Sequence, residues 1–433
     1  MDWVLSEVTS RFLVPLSQLL VARDGAPSAS ASVPPQEPKR LRAAAARILG
    51  RMESPSDRLP VLLSGRLPET ERALQALWSW PFRPRLHVLL DLAEADVPLH
   101  PRFANRLGWS DTIICRSALE AEAVDVCLRE RGGPLPPKVE TVPPPVDPGC
   151  DIPRTARARD AVRAEAFGLD SRHLILVFAA GRMDARVGTA MHLFRIFADG
   201  HYARCVSCGH VTVAPYRAAA SRFDDLDTCA CCRAPLAFRS TAHPEARLYI
   251  AAPREGATFD VWGLRRGIGL EGRVLVDGDP GLPPPGSREE LARGLAAADL
   301  LLLPHDRAYL EPALLLARNV GLPVIAPDFG VTQALAGVRR VAPRLWTLGS
   351  EGEARAVPDT AQTVAALDDL TRDPMERRRL SEAARGQRDE RTIESIRAAW
   401  TSLLAAAARD RSRRPAIRPW LPVGGRSTPE DRA

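Results

Sequence analysis

The chain predicts an α/β protein built on parallel sheets, and three observations predict it. Short apolar runs recur with helical segments between them, the rhythm of strand–helix–strand units rather than of hairpins. The runs are apolar throughout, as strands buried on both faces require. One whole unit is legible between residues 297 and 328, AADLLLLPHDRAYLEPALLLARNVGLPVIAPD. Residues 300–303 read as a strand closed by Pro304, followed by a polar loop and a helix over about 311–319. Gly321-Leu322-Pro323 stops that helix, and Val324-Ile325-Ala326 is the next strand. In open parallel sheets ligands sit beyond the carboxyl ends of the strands. The loop from Pro304 to Pro312 is such a place, where a helix start offers free N–H groups and partial positive charge to an anion.

Taken in order, residues 1–24 read as an amphipathic helix broken at Pro15. Residues 25–38 (GAPSASASVPPQEP) have little to bury and read as a flexible linker. A helix rich in Ala and Arg is expected over 39–51, strands over 59–63 and 86–90, and a helix over 69–78 between them. Residues 102–107 read as helical, 112–115 as a strand and 117–131 as a helix. A strand from Val139 runs into a proline-rich loop, VETVPPPVDP. A second α/β region then opens with a helix over 160–167, stopped by Gly168, and a strand over 174–179. Gly181-Arg182-Met183-Asp184 follows, with a helix from about Gly188 to 198. Strands at 248–252 and 273–276 and a helix at 288–298 lead into the unit described first. Helices over 361–370, 374–385 and 393–409 complete the fold, and 411–433 read as a tail.

The bulk numbers bound the function. At 433 residues the chain is long enough for two domains. Its hydrophobic content of 45% and charged content of 26% are those of ordinary globular protein. A net charge of +6, carried mainly by Arg, suits anionic ligands, although a solvated Arg-rich surface gives the same count. No stretch approaches the roughly twenty apolar residues that span a bilayer. Residues 12–22 have the length of a signal-peptide core, but Asp2 and Glu7 outweigh Arg11 ahead of it. A cytoplasmic protein without a transmembrane segment is expected. Aromatics at 5% leave no stacking platform for nucleic acid, which is set aside as a partner.

Cysteine carries the strongest chemical signal. Cys205 and Cys208, then twenty residues, then Cys229 and Cys232 form two C-x2-C knuckles, a spacing that completes a tetrahedral sulfur site for structural Zn2+. With four thiolates the ion has no vacancy for substrate, so its role is folding. Cys231 is surplus, His210 a weaker ligand, and Cys115, Cys127 and Cys150 ordinary packing or surface residues. The segment reads as a zinc ribbon inserted into an α/β scaffold.

Several stretches resemble retaining glycosyltransferases of family 4, which have the GT-B fold of two Rossmann-like domains. The distance from Pro304 to Gly321, the run Gly321-Leu322-Pro323-Val324-Ile325-Ala326, the Val146-Asp147 of the proline-rich loop, Gly181-Arg182 with Gly188, and Asp328-Phe329-Gly330 carry the resemblance. It covers roughly residues 85–345. It implies an acceptor domain over 39–148, a donor domain over 149–410 with the ribbon at 201–243, and residues 1–38 as helix and linker. A last helix would cross back to the first domain. By the same resemblance Gly181, Arg182, Arg186, His305, Arg307, Glu311 and Gly330 would line a nucleotide-sugar site. Arg182 and Arg186 would hold the diphosphate, though a helical step turns Arg186 about 100° from the family's lysine position. Glu311 serves equally well as a helix-start cap.

Asp91 and Asp96 fall where relatives face the acceptor and are the catalytic candidates, although three acids in LDLAEAD also suit a solvated loop. Departures are plain: the family's paired glutamates fall on Ala308 and Leu316, its lysine on Val187, a following Glu on Ala334, and its acceptor-side His on Leu90. The implied activity is transfer of a sugar, with retention, from a nucleotide sugar to a hydroxyl on a saccharide, lipid-linked or protein acceptor. The alternative is a catalytically degenerate GT-B protein acting as a ribbon-bearing binding module.

Overall fold

A computed structural model describes residues 4–7, 31–33, 38–52, 58–64, 67–91, 107–131, 136–142, 155–179, 185–213, 228–234, 242–252, 259–279, 288–304, 312–348, 353–386 and 393–410. Two six-stranded parallel sheets form its frame. The first contains β1 (Val4–Glu7), β2 (Ala31–Val33), β3 (Leu59–Ser64), β4 (Leu86–Asp91), β5 (Thr112–Cys115) and β6 (Lys138–Thr141), in the order β2-β1-β3-β4-β5-β6. The second contains β7 (Leu174–Ala179), β10 (Ala246–Ala251), β11 (Val274–Val276), β12 (Leu300–Leu302), β13 (Val324–Pro327) and β14 (Val338–Val341), in the order β11-β10-β7-β12-β13-β14. Two antiparallel hairpins stand apart: β8 (Tyr202–Arg204) with β9 (Val211–Val213), and β15 (Pro343–Leu348) with β16 (Glu353–Pro358).

Helices cover both sheets, and residue alternation decides which side each strand residue faces. In the first lobe α1 (Pro38–Leu49) buries Leu41, Ala44, Ala45, Ile48 and Leu49, a helical stripe of the usual spacing. With α2 (Leu67–Trp78) and α3 (Ala118–Arg131) it covers the face bearing Val61, Val88 and Ile113. In the second lobe Leu176 and Phe178 pack toward α5 (Ala185–Ala198) and α9 (Thr360–Arg372), while Ile175 and Val177 pack toward α4 (Ala156–Phe167), α7 (Arg288–Ala297) and α8 (Pro312–Val320). Between β10 and β11 lies α6 (Val261–Gly267), and α10 (Pro374–Gly386) follows α9. Helix α10 lies close on β14 because Gly337, at φ +77°, leaves no Cβ where Ala384 and the Leu380 carbonyl approach.

The other face of the first sheet is covered from the far end of the chain. Ile396, Trp400, Leu404 and Ala407 of α11 (Ile393–Arg409) pack on Leu62, Leu89, Ile114 and Val142. Asp410, just past the helix, lies 3.6 Å from Arg58 and 3.2 Å from His87 at the opening edge of that sheet.

Both sheets set one neighbouring pair of strands by the same device. Asp111, immediately before β5, donates its N–H to the Val88 carbonyl (2.8 Å) and accepts the Val88 N–H on Oδ2 (2.8 Å). Asp299, immediately before β12, does the same with Ile175, at 2.9 and 2.8 Å. Arg83 pairs with Asp111 at 2.8 Å, and Arg163 with Asp299 at 2.7 Å.

Most expected elements are present within a residue or two. The exceptions begin at the N-terminus. Val4–Glu7, expected within a helix, is an interior strand, with Val4 beside Val61 and Leu5 beside Leu62. Ala31–Val33, expected within a flexible linker, is the edge strand beside it. Four residues, two apolar and two polar, satisfy either period, and their place between two partners decides for the strand. Residues 102–106, most of the proline-rich loop and the tail from 411 lie outside the described residues. Helix α6, strand β14 and the β15–β16 hairpin were not anticipated. Among the described residues no helix is long and apolar enough to cross a membrane.

Trp400 is fully buried between α11 and the first sheet. Trp400→Ala is expected to cost about 3–5 kcal/mol, read as a lower denaturant midpoint in equilibrium unfolding followed by tryptophan-independent circular dichroism.

Candidate functional site

The carboxyl ends of the strands define the first candidate region. In the second sheet the chain leaves β7 for β10 on one side and later adds β12 on the other, so the strand order reverses between β7 and β12. Such a switch point opens a crevice. Helix α5 starts after β7 and α8 starts after β12, so both helix N-termini, whose first N–H groups have no partner within the helix, lie at this end of the sheet.

Arg186 is half-buried in the first turn of α5. Val187, at the family's lysine position, is fully buried in the core. Gly188 lies beneath Phe259, whose Cζ would be 3.0 Å from an added Cβ. Gly330 opens a 3-10 turn after β13, where Thr332 Oγ1 accepts the Phe329 N–H (3.2 Å) and donates to the Phe329 carbonyl (2.8 Å). Arg186 and Gly330 therefore share one sheet edge. Gly181, Arg182, His305, Arg307, Glu311 and Asp96 lie outside the described residues. Leu316, at a family glutamate position, is fully buried among apolar neighbours.

Asp91 occupies the corresponding edge of the first sheet, but in a different setting from the open acid expected. Its side chain is 0% exposed. Ser64 Oγ donates to its Oδ2 at 2.7 Å, and Arg116 Nη2 pairs with the same oxygen. Arg116 is itself buried, with its guanidinium 5.6 Å from the Trp400 ring centroid. Glu120 Oε2 accepts the Arg116 N–H at 2.6 Å, and Ser117 Oγ accepts the Glu120 N–H at 3.2 Å. A carboxylate enclosed by a guanidinium and a hydroxyl is suited to positioning the strand ends rather than to meeting an acceptor. Ser64, Arg116 and Trp400 come from three distant stretches, and no local pattern announces their meeting.

The second region is the cysteine cluster, a candidate metal centre. The sulfurs of Cys205, Cys208, Cys229 and Cys232 lie within 4.8 Å of one another. Cys205 and Cys232 are 3.6 Å apart, and Cys208 and Cys229 3.7 Å. Four sulfurs each about 2.3 Å from one ion stand about 3.8 Å apart in a tetrahedron. The donor set and spacing fit a metal ion.

The two knuckles have the same backbone design. Cys205 N–H donates to the His210 carbonyl (2.8 Å) and Gly209 N–H to the Cys205 carbonyl (2.9 Å). Cys229 N–H donates to the Ala234 carbonyl (2.7 Å) and Arg233 N–H to the Cys229 carbonyl (3.0 Å). Gly209 and Arg233 are equivalent and both left-handed, at φ +73° and +64°. Backbone N–H groups face the sulfurs: Cys231 N–H donates to Cys229 Sγ at 3.3 Å, and the Cys208 N–H lowers the Cys205 thiol, while hydrogen bonds among the sulfurs raise Cys208 and Cys232. Cys115 is pushed up to about 12 by burial and is inert packing.

A buried charge network fixes the hairpin to α9. The Tyr202 hydroxyl donates to Asp368 Oδ1 at 2.7 Å, and Arg372 Nε donates to the same oxygen at 3.0 Å. Arg204 lies 2.7 Å from Asp369 and 3.4 Å from Asp368. His243 Nε2 is 3.5 Å from Asp368, and its ring stacks on Phe197 at 4.2 Å. His243 N–H donates to the Ala198 carbonyl at 2.9 Å, so the segment between them leaves and rejoins the lobe at one point. That point joins the end of α5 to the start of β10, at the sheet edge opposite the switch-point crevice.

Two outcomes follow from this centre. Arg233→Gly removes a left-handed side chain and is expected to stabilise the protein by about 1 kcal/mol, visible as a higher thermal midpoint. For Asp368, burial raises the carboxyl pKa, but hydrogen bonds from His243 and Tyr202 and the charges of Arg372 and Arg204 outweigh it and hold it below its usual value. The stability this supplies is present above about pH 4, the ordinary aspartate value, and is lost as pH falls through the lowered folded value. Thermal melts below about pH 4 should show this loss in the native protein and a weaker one in Asp368→Asn.

No protein-family model matches the chain, and no curated protein matches it in sequence. Solved structures do match in fold. Sucrose-phosphate synthase from Thermosynechococcus elongatus superposes with a TM-score of 0.54 at 14% identity, over 93% of this chain and 98% of that one. The α,α-trehalose 6-phosphate synthase of Burkholderia multivorans gives 0.52 at 11% identity, over 94% and 96%. WaaG, a glycosyltransferase of lipopolysaccharide biosynthesis, gives 0.51 at 13% identity, over 93% and 99%. The chain has the GT-B arrangement of these proteins: two parallel α/β lobes and a last helix returned to the first.

Proposed function

We propose that this GT-B chain is a family 4-like glycosyltransferase that moves a sugar from a nucleotide-sugar donor to an acceptor hydroxyl with retained anomeric configuration. The observation that carries the reading is the switch point between β7 and β12, with the starts of α5 and α8 gathered at it. Arg182 and Arg186 hold the donor diphosphate there, assisted by the N–H groups at the start of α8. His305, Arg307 and Glu311 contact the remainder of the donor, and Gly330 gives close backbone approach. The leaving diphosphate gains negative charge as the sugar departs. Fixed guanidinium groups and helix N–H dipoles stabilise that charge in the transition state. The acceptor, a saccharide, a lipid-linked sugar or a protein, enters from the first lobe past Asp96, while Asp91 holds the strand ends in place.

The four cysteines hold structural Zn2+, which organises the ribbon and takes no part in the transfer. Their thiolates suit a reducing compartment such as the cytoplasm.

Specific observations favour a second reading, a degenerate GT-B binding module. Leu316 and Val187 are buried where relatives carry charge, and Asp91 is enclosed in an ion pair. Calorimetric titration with UDP- and GDP-sugars separates the two. The enzyme reading expects binding of at least one donor, weakened about tenfold or more in Arg182→Ala, as loss of a charge-assisted phosphate contact implies. Absence of binding to every nucleotide sugar overturns it in favour of the module.

A further inference from the structure

At the opposite edge of the second sheet from the donor crevice lies a groove of about 490 Å³. Its floor is the turn Gly321-Leu322-Pro323 leading into β13, and α4 and α10 supply its walls. One face of α10 turns toward it, with Arg377, Arg378, Ser381, Glu382 and Arg385 recurring at helical spacing. Arg159 of α4 stands across from them.

Among the described residues the charges there are not balanced from within. Asp299 is already matched by Arg163 and Arg159, at 2.7 and 3.0 Å. Glu382 is matched by Arg378 at 2.9 Å. Arg377 reaches only carbonyl oxygens, those of Leu370 and Thr371, and has no carboxylate among the described residues. Arg385 makes no hydrogen bond or ion pair among the described residues, yet its stem is laid tightly over Gly321. An added Cβ there would meet its Nε first, then Cγ at 2.8 Å and Cδ at 3.0 Å. With stem and Nε ordered by packing and no acceptor for its terminal nitrogens among the described residues, Arg385 is already arranged for an anion. The local field agrees: burial lowers the Arg159 guanidinium from its ordinary value, and Arg163 and Arg377 add to this against the pull of Asp299.

We propose that this groove is a second anion site, which takes a small phosphorylated molecule between Arg385, Arg378 and Arg377 on one wall and Arg159 on the other. The volume is that of a small-molecule pocket, and the guanidinium fork matches phosphate oxygens. The site is distinct from the donor crevice, because the six residues of β7 separate the two edges by about 20 Å. Arg159 and Arg377 also cap the ends of α7 and α9, so the variants that test the site are the exposed residues Arg378 and Arg385.

The probe is inorganic pyrophosphate, titrated by calorimetry into the full chain at physiological salt. The Arg182→Ala protein, which lacks the proposed donor contact, should still bind it. Adding Arg378→Gln and Arg385→Gln, which keep most of each stem, should weaken that remaining binding at least tenfold. Ser381→Asp, which places a carboxylate in the groove, should do the same should the double variant fail to fold. The proposal is overturned by Arg182→Ala protein that binds no pyrophosphate, or by binding that survives the groove substitutions undiminished. If Arg182→Ala changes nothing while the groove variants abolish all binding, the groove stands and the donor reading falls.

Discussion

Two carboxylates, Asp111 and Asp299, hold the frame on which everything else is arranged. A strand entering a parallel sheet needs a partner on both its N–H and its C=O, and the first residue has no strand of its own behind it. Each aspartate supplies both bonds at once, giving its own N–H to a neighbouring carbonyl and a side-chain oxygen to the N–H of the same neighbour. An arginine balances each charge. Charge-assisted hydrogen bonds of this kind are worth about 1.5–3 kcal/mol each. Their larger effect is on register, because slipping a strand by one residue would turn its apolar set to the other face. The adjacent β7 and β12, between which the crevice opens, are held in step by Asp299.

The cysteine cluster is built on a different principle. Its segment leaves and rejoins the second lobe at the Ala198–His243 hydrogen bond, so it adds a unit without altering the sheet. The sulfur cluster orders the knuckles, while Tyr202, Arg204 and Asp368 anchor the hairpin to α9. The switch point is at one edge of the sheet, and the cysteine segment and the arginine groove belong to the other. Any influence of either on the crevice must pass through the packed helices of the lobe.

Much of the frame was legible in the sequence because it depends on local patterns. The unit at residues 300–326 was marked by apolar runs and by Gly321, and α11 by a sustained helical period. The cysteine knuckles were marked by spacing. The strand at Val4–Glu7 was not legible, since Val4 and Leu5 followed by Ser6 and Glu7 fit either period and only Val61 and Leu62 beside them choose. The enclosure of Asp91 was not legible for a related reason. Its neighbours in LDLAEAD suggest a wet acidic loop, whereas its environment is set by Ser64, Arg116 and Trp400, each remote in sequence. The anchoring of the ribbon through Asp368 was hidden in the same way. Residues contributed by separate elements to one buried polar network carry no common spacing.

The placement of α11 has a consequence for how the protein is made. The side of the first sheet bearing Leu62, Leu89 and Ile114 is covered by residues 396–407, near the far end of the chain. During synthesis this greasy surface stands bare while nearly three hundred further residues leave the ribosome. The first lobe thus emerges before the second and is finished after it. A growing or prematurely ended chain presents an adhesive sheet that only a chaperone, or the late arrival of Trp400, can shield.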